Sequence, residues 1–335
     1  MFALRGIAVS LTFFVLLYCL LSALVSVAWR SLQLLHAREK SLSNLLFAFR
    51  VLPLAASVAL TLVFVVPSFQ LLEPRSVNIN VDEGIGAMPL ALGVCALLLI
   101  ACGCFRVIVA QTRTTRVVAR WLEGAHSLNV DVDFEAQGEI GTEVQKEVQK
   151  EVWKVTYCSR REAPPLMLVG VRRPRVLVSP STIALLSHDE LQIALKHELA
   201  HMRSRDNVKK LIFRFCPFPG MAKLESAWSQ SAEMAADDAA VAKLEDALDL
   251  AAALVKLSRL VPVEEAPVCT VGFVTGSIGT RVARLLAWDE SGKLQSPRIR
   301  SWYAIPPVLF TLLCVFATYG PVLALTHEVT EWLVR

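Results

Sequence analysis

The sequence predicts a mainly α membrane protein, with four transmembrane helices and a soluble α+β domain inserted between the third and the fourth. Composition is the first reason: 54% of the 335 residues are hydrophobic, above the roughly 45 to 50% usual in soluble domains, and mean hydropathy is +0.50. The second is where that excess sits. Four windows, 6–29, 51–72, 84–105 and 301–326, carry no charged residue, and each exceeds the ~20 residues a helix needs to cross a hydrocarbon core about 30 Å thick. Helices buried in a soluble core would show shorter apolar runs with a polar face. The third is the stretch of about 190 residues between the last two windows, long enough for one domain and mixed in polarity.

The first window follows Arg5 and ends near Ser26-Val27-Ala28, a faint likeness to a cleavable signal peptide. Signal-peptide apolar regions run about 7 to 15 residues, so this longer run is expected to be retained as a span. Arg30, Arg38, Lys40 and Arg50 follow it, Arg75 is the only basic residue in 73–83, and Arg106, Arg113, Arg116 and Arg120 follow the third window. Basic residues in short loops mark the cytoplasmic side. The expected topology puts the N-terminus outside, residues 106–300 in the cytoplasm and the tail after the fourth span outside again, with Arg5 weakly against it. The expected organisation is three spans in 1–110, a cytoplasmic domain in 111–300, and a fourth span with a short extracytoplasmic tail in 301–335.

The formal net charge of +4 is accounted for by these flanking residues, and no basic motif with interleaved aromatics points to nucleic acid. Of eight cysteines, Cys19, Cys95, Cys102, Cys104 and Cys314 fall in the apolar windows, and Cys158, Cys216 and Cys269 show no C-x-x-C spacing. Neither structural disulfides nor a cysteine zinc site is expected.

Within the soluble stretch, 143–154 repeats Glu-Val-Gln-Lys and sets Val144, Val148 and Val152 on one helical face, which reads as a solvated connecting helix. Two β-rich runs, 166–171 and 175–179, flank Arg172-Arg173-Pro174 and predict a short hairpin. Ser187 with Glu190 three residues on forms a capping box, so a helix is expected to begin near His188. Segment 207–220 is apolar and aromatic, carries Lys209, Lys210 and Arg214, and breaks at Pro217 and Pro219. It is too short to span, and reads either as an interfacial segment or as a buried hydrophobic elbow. Further helices are expected at 222–244 and 247–260, with Pro262 and Pro267 marking a linker and the glycines at 272, 276 and 279 a flexible turn.

The chemistry rests on His197-Glu198-Leu199-Ala200-His201, an H-E-x-x-H pattern inside the helix that the capping box starts. At 100° per residue the two histidines and Glu198 fall within an arc of roughly 100°, beside the apolar face of Leu191, Leu195 and Met202. Four-residue spacing brings two neutral imidazoles to one zinc ion, and the intervening glutamate can reach a metal-bound water without binding the metal. A catalytic zinc needs a third protein ligand, and no histidine follows His201 until His327. Glu233 is the best candidate, with Asp237 four residues later placed to hydrogen-bond a ligand histidine. Glu225, Asp238 and Glu245 are nearby competitors.

His197–His201 followed by Glu233-Met-Ala-Ala-Asp237 resembles the two motifs of the gluzincin peptidases. The run Leu185-Leu186-Ser187-His188-Asp189-Glu190-Leu191 leading into His197 to Asp206, three preceding spans, the aromatic-proline elbow near Phe215 and one closing span look like the BlaR/MecR-type antirepressor membrane metallopeptidases. The resemblance implies a zincin-like domain with one Zn2+, a bacterial cytoplasmic membrane, and a protein or peptide substrate such as a cytoplasmic transcriptional repressor. Beta-lactam sensors of this type carry a penicillin-binding domain after the last span. The sequence stops at Arg335, so direct beta-lactam sensing by this polypeptide is not expected. The segment from Ile278 to Leu286 is similar to a basic segment in such peptidases, where Arg281 would stabilise the oxyanion; the other reading of Arg281 is a juxtamembrane arginine facing lipid phosphates.

These readings converge on a zinc-dependent endopeptidase in which Glu198 takes the proton of a zinc-activated water and passes it to the leaving amine. An extended substrate would lie along an edge strand at 166–171 or 175–179. The expected role is regulatory, cleaving a repressor, itself or both on a signal. The alternatives are a membrane-protein quality-control protease of the HtpX/Ste24 type and a non-catalytic signalling scaffold stabilised by zinc. Three spans before the domain and one after favour the first, and Glu198 beside the ligands argues against the last.

Overall fold

The computed structural model describes residues 2–33, 43–72, 86–123, 125–127, 155–159, 164–260, 270–272, 278–288 and 305–334. The connecting helix expected at 143–154 and the linker at Pro262 and Pro267 lie outside these residues. Three helices among the described residues are long and apolar enough to cross a membrane: Phe2–Arg30, Ser43–Leu72 and Ala87–Leu122, with window hydropathies of 2.4, 2.2 and 2.5.

The first is the apolar part of α1 (Phe2–Gln33). The second is made of α2 (Ser43–Leu60), a π-helical turn over Thr61–Val65 and α3 (Val66–Leu72). The third is α4 (Ala87–Leu122). The α1 helix packs against both others, and Thr12 Oγ1 donates to the carbonyl of Pro89 at 3.0 Å, tying α1 to the start of α4.

The third helix differs from its sequence-based boundary in an instructive way. Charge ends the apolar run at Phe105, yet α4 continues as one helix to Leu122. Arginines are good helix formers and stop a membrane span without stopping a helix. The extension carries Trp121 onto the soluble domain, where it packs on Met167, Val169 and Leu177 with Val117 and Val118 alongside.

That domain is built on a five-stranded sheet of order β1-β2-β4-β3-β5. The strands are β1 (His126–Ser127), β2 (Thr156–Cys158), β3 (Leu166–Val169), β4 (Arg175–Val178) and β5 (Thr270–Gly272). β3 and β4 form the hairpin, with Leu166 opposite Val178 and Val169 opposite Arg175. Gly170 sits in its turn at φ +89°, a region that costs glycine nothing, and a Cβ there would approach the Arg173 carbonyl to 2.9 Å. β2 runs parallel to β4, and β1 closes antiparallel to β2.

Side chains alternate across a strand, and here both faces are covered. Leu166, Leu168, Val176 and Val178 face one core with Leu191, Leu195 and Leu199, while Met167, Val169 and Leu177 face Trp121. This double burial explains the uninterrupted apolar run Leu166-Met167-Leu168-Val169.

The expectation that β3 or β4 offers an edge to substrate is corrected by this topology. β5 pairs antiparallel with β3, Leu168 opposite Val271, and β4 lies between β2 and β3, so both hairpin strands are internal. The pairing joins segments about 100 residues apart in sequence, which no local pattern announces. Of the glycines read as a flexible turn, Gly272 ends β5 and Gly279 lies in a helix, while Gly276 lies outside the described residues.

Six helices complete the domain. α5 (Pro180–Leu185) is capped by Ser179, whose hydroxyl accepts from the Thr182 amide. α6 (His188–Ser204) begins at the capping box: Ser187 Oγ accepts from the Glu190 amide at 3.2 Å, and Glu190 Oε2 accepts from the Ser187 amide at 2.8 Å. α7 (Asp206–Phe215), α8 (Ala222–Ala240), α9 (Leu244–Ser258) and α10 (Ile278–Leu286) follow. A further 30-residue helix, α11 (Ile305–Val334), contains Pro321, and Tyr319 on it donates to the Val63 carbonyl in the π-helical turn at 3.1 Å.

The elbow between α7 and α8 is moored to the membrane helices. Arg50 on α2, a mere topological cation in the sequence, is 2% exposed. It donates to the Cys216 carbonyl at 2.6 Å and to Glu225 at 2.9 Å. Phe213 packs with Val25, Leu46, Met221 and Trp228. The segment is therefore a buried elbow on one side and a basic surface on the other. Gly103 permits a close crossing, because a Cβ there would collide with the Phe215 carbonyl.

Candidate metal centre

α6 and α8 lie side by side and bring His197, His201 and Glu233 together, one ligand atom from each within 4.8 Å of the others. His197 Nε2 is 3.1 Å from His201 Nε2, 3.6 Å separates His197 Nε2 from Glu233 Oε2, and 3.7 Å separates His201 Nε2 from Glu233 Oε1. A tetrahedral ion with ligand bonds of about 2.0 to 2.1 Å needs donor atoms about 3.3 Å apart. These nearest spacings, with a different Glu233 oxygen facing each imidazole, lie close to that requirement, and the donor types, two imidazole nitrogens and a carboxylate, are those of an open zinc site.

Each histidine is held from behind. His197 Nδ1 lies 3.0 Å from Asp237 Oδ1, and His201 Nδ1 lies 2.7 Å from Asp206 Oδ2. A carboxylate beside each Nδ1 favours the proton there, so that in the neutral ring the Nε2 lone pair faces the shared space. Asp237 does this from α8, one turn beyond Glu233. Asp206 does it from the start of α7, because Arg205 adopts the left-handed conformation at φ 55° and ends α6 abruptly. Lys209 Nζ bonds the other oxygen of Asp206 at 3.1 Å.

Arg281, from α10, is enclosed by the same carboxylates. Nε and Nη2 donate to Asp237 at 2.9 and 2.6 Å, and Nη1 donates to Glu233 Oε2 at 2.9 Å. The competing carboxylates are elsewhere: Glu225 pairs with Arg50, Asp238 with Arg284, and Glu245 with Lys243.

Electrostatics follow from burial, since the exposures of His197, Glu198, His201, Glu233 and Asp237 are all 3% or less. Burial raises the pKa of Glu198 above the ordinary carboxyl range, more than the nearby imidazoles and the Leu168 main chain lower it. Neither of its oxygens has a well-formed hydrogen bond among the described residues, an expensive state for a buried carboxylate unless it works on a ligand or a proton. Burial would lower His201, but the hydrogen bonds to Asp206 and Glu233 outweigh it and raise the pKa to about 10. Burial likewise opposes ionisation of Glu233 and Asp237, yet hydrogen bonds with the histidines hold Glu233 well below the carboxyl range and Asp237 at about 2.

Sequence reasoning named His197, Glu198, His201, Glu233, Asp237 and Arg281, and the structure gathers all six around one point. It missed Asp206. The available signal was a carboxylate five residues after the second histidine, but without the turn at Arg205 that spacing places it off the histidine face.

Two imidazoles and a carboxylate on adjacent helices, with a buried glutamate beside them and three membrane-length helices in the same chain, define a membrane-associated metallopeptidase. The family model described as BlaR1 peptidase M56 matches residues 92–285, well over half of the 335, and the chain belongs to that family. The match opens within α4 and closes within α10, so it takes in every residue of the cluster. No curated protein matches the chain.

Proposed function

We propose that this protein is an integral-membrane zinc endopeptidase with His197, His201 and Glu233 as ligands, Glu198 as general base, and a regulatory role exercised on a cytoplasmic repressor, on itself, or on both. The observation that carries it is the donor triangle with Glu198 buried beside it. Bound zinc supplies Lewis acidity, lowering the pKa of water toward 7 and polarising a peptide carbonyl. Glu198 accepts the proton of the attacking water. Its raised pKa keeps that proton on the carboxyl until the leaving amine takes it. Asp237 and Asp206 fix the tautomers of His197 and His201, and Arg281 holds Glu233 and Asp237 in register. Three of the five N–H donors of Arg281 are engaged by those carboxylates, so its main role is to position them.

The reading includes α11 as a fourth span, the N-terminus outside, residues 111–300 in the cytoplasm, and a bilayer as the immediate partner. The alternation of basic and acidic loops supports that orientation. Self-cleavage draws support from β5, which pairs with β3 where an extended peptide would otherwise add. The test is zinc content and proteolysis of the purified chain in detergent, against casein and against itself. Wild type holds about one zinc and cleaves, Glu198→Ala holds zinc without cleaving, and Glu233→Ala binds zinc at least about tenfold more weakly. Cleavage by Glu198→Ala removes the general-base assignment, and wild type free of zinc removes the metal reading.

A further inference from the structure

A cavity of about 490 Å³ opens beside the elbow, where α4 leaves the apolar zone, and borders the buried Arg50 network through Glu225. Arg106 of α4 and Lys210 and Arg214 of α7 line it, together with Phe213, Phe218 and Trp228. Lys210 and Arg214 are four residues apart and so share a helical face. The crossing at Gly103 brings α4 against Phe215, and Arg106 lies one turn further along. Arg106 and Arg214 are exposed and have no carboxylate partner among the described residues. The one acidic residue of the lining, Glu225, is neutralised by Arg50 at 2.8 Å.

A second feature is independent of charge. Trp228 is 2% exposed, and its indole Nε1 has no acceptor among the described residues. A buried N–H without an acceptor is costly, and Trp228 lines this cavity together with three cations. That combination asks for a ligand with several anionic oxygens. The surroundings ask for one with an apolar body as well: Leu98 and Phe105, on the membrane side of Arg106 and seven residues apart, are exposed on α4, and Phe218 adds apolar surface to the lining.

We propose that this cavity binds the phosphate headgroup of an anionic phospholipid, with Arg106, Lys210 and Arg214 around the phosphate, Trp228 donating to one of its oxygens, and the acyl chains running back along Phe105 and Leu98. The site rests on the membrane reading but not on the metal, and it sits on α7 and α8, the helices that carry Asp206 and Glu233. A filled cavity therefore braces the elbow to which both helices are joined.

The test is native mass spectrometry of the delipidated full-length chain in detergent, titrated with phosphatidylglycerol, phosphatidylcholine and inorganic phosphate, with zinc content measured in the same samples. One phosphatidylglycerol binds per chain, at least about tenfold more tightly than phosphatidylcholine, and inorganic phosphate at equal concentration neither binds nor displaces it. Arg106→Gln with Arg214→Gln weakens phosphatidylglycerol about tenfold or more, at about 1 kcal/mol per basic residue. Trp228→Phe, which changes no charge, weakens it about tenfold by removing one hydrogen bond to an anion. The exposed hairpin pair Arg172→Gln with Arg173→Gln leaves binding unchanged. The exposed arginine variants keep the test decisive even where Trp228→Phe fails to fold. Equal retention by wild type and both cavity variants overturns the site, and capture of inorganic phosphate instead makes it a soluble-anion site and overturns the lipid assignment. Loss of zinc with lipid binding intact strikes only the peptidase reading.

Discussion

Zinc uptake at the cluster is expected to compete with a proton, and the competition has a calculable size. In the metal-free protein burial acts to lower the pKa of His201, but Asp206 and Glu233 raise it to about 10. At about pH 7.5 that imidazole is protonated in nearly every molecule, and a cation must expel the proton at a cost of about 3 kcal/mol, at 1.36 kcal/mol per pH unit. Apparent zinc affinity should climb close to tenfold per pH unit between about pH 7 and 9, with about one proton released per ion. Titration calorimetry in buffers of different ionisation enthalpy counts the protons, and competition with a chelating dye gives the slope. A histidine near the ordinary value of about 6.5 would release only about a tenth of a proton at pH 7.5. That result, with affinity flat above this pH, would refute the electrostatic account of the site. Asp206→Asn tests the cause: without the carboxylate the slope flattens, and affinity at high pH falls about 10- to 100-fold because the ring loses its orienting partner.

The same groups set how the metal-free fold responds to pH. His201 has a folded pKa above its unfolded one, so its contribution is fully present below about pH 6.5 and is lost as pH rises toward 10. Asp237 is depressed to about 2, so its contribution is present above about pH 4 and is lost as pH falls toward 2. Thermal midpoints of chelator-treated protein should peak between these limits, and a midpoint rising steadily from pH 7 to 10 would contradict the assignment to His201. Arg281→Gln strips the buried Glu233 and Asp237 of their common cation and should destabilise the metal-free fold by about 3 to 5 kcal/mol. Arg281→Lys should fail to restore it, since an ammonium cannot make the paired contacts of a guanidinium; full rescue by lysine would reduce the clamp to simple charge. Gly103→Ala should lower the thermal midpoint by the equivalent of about 1 to 3 kcal/mol through the clash with Phe215, leaving zinc content intact. An unchanged midpoint would mean that α4 does not cross the elbow so closely.

Much of the site was legible because its information is local. The capping box at Ser187 and Glu190, the four-residue spacing of His197 and His201, and the same spacing of Glu233 and Asp237 each fit within two helical turns, so periodicity alone says which side chains share a face. The apolar runs announced the membrane helices for a similar reason: a bilayer imposes a minimum length on any unbroken helix that crosses it. Helix ends were less legible, because charge stops a span and not a helix, as α4 shows beyond Phe105.

What tertiary structure decided depends on which distant segments meet. The pairing of β5 with β3 closes the edge that the hairpin was expected to offer. Arg50 becomes a buried anchor only because α2 lies against Cys216 and Glu225, more than 160 residues away. Asp206 supports His201 only because Arg205 takes a backbone conformation that residue type does not favour, and three cations form one cavity only because α4 and α7 cross at Gly103. By itself, then, the sequence determined the chemistry each helix could present, since spacing on a helix is a property of the chain. Which carboxylate backs which ligand, which strand covers the sheet edge and where the cations gather were left to packing, because those depend on contacts that no short window of residues contains.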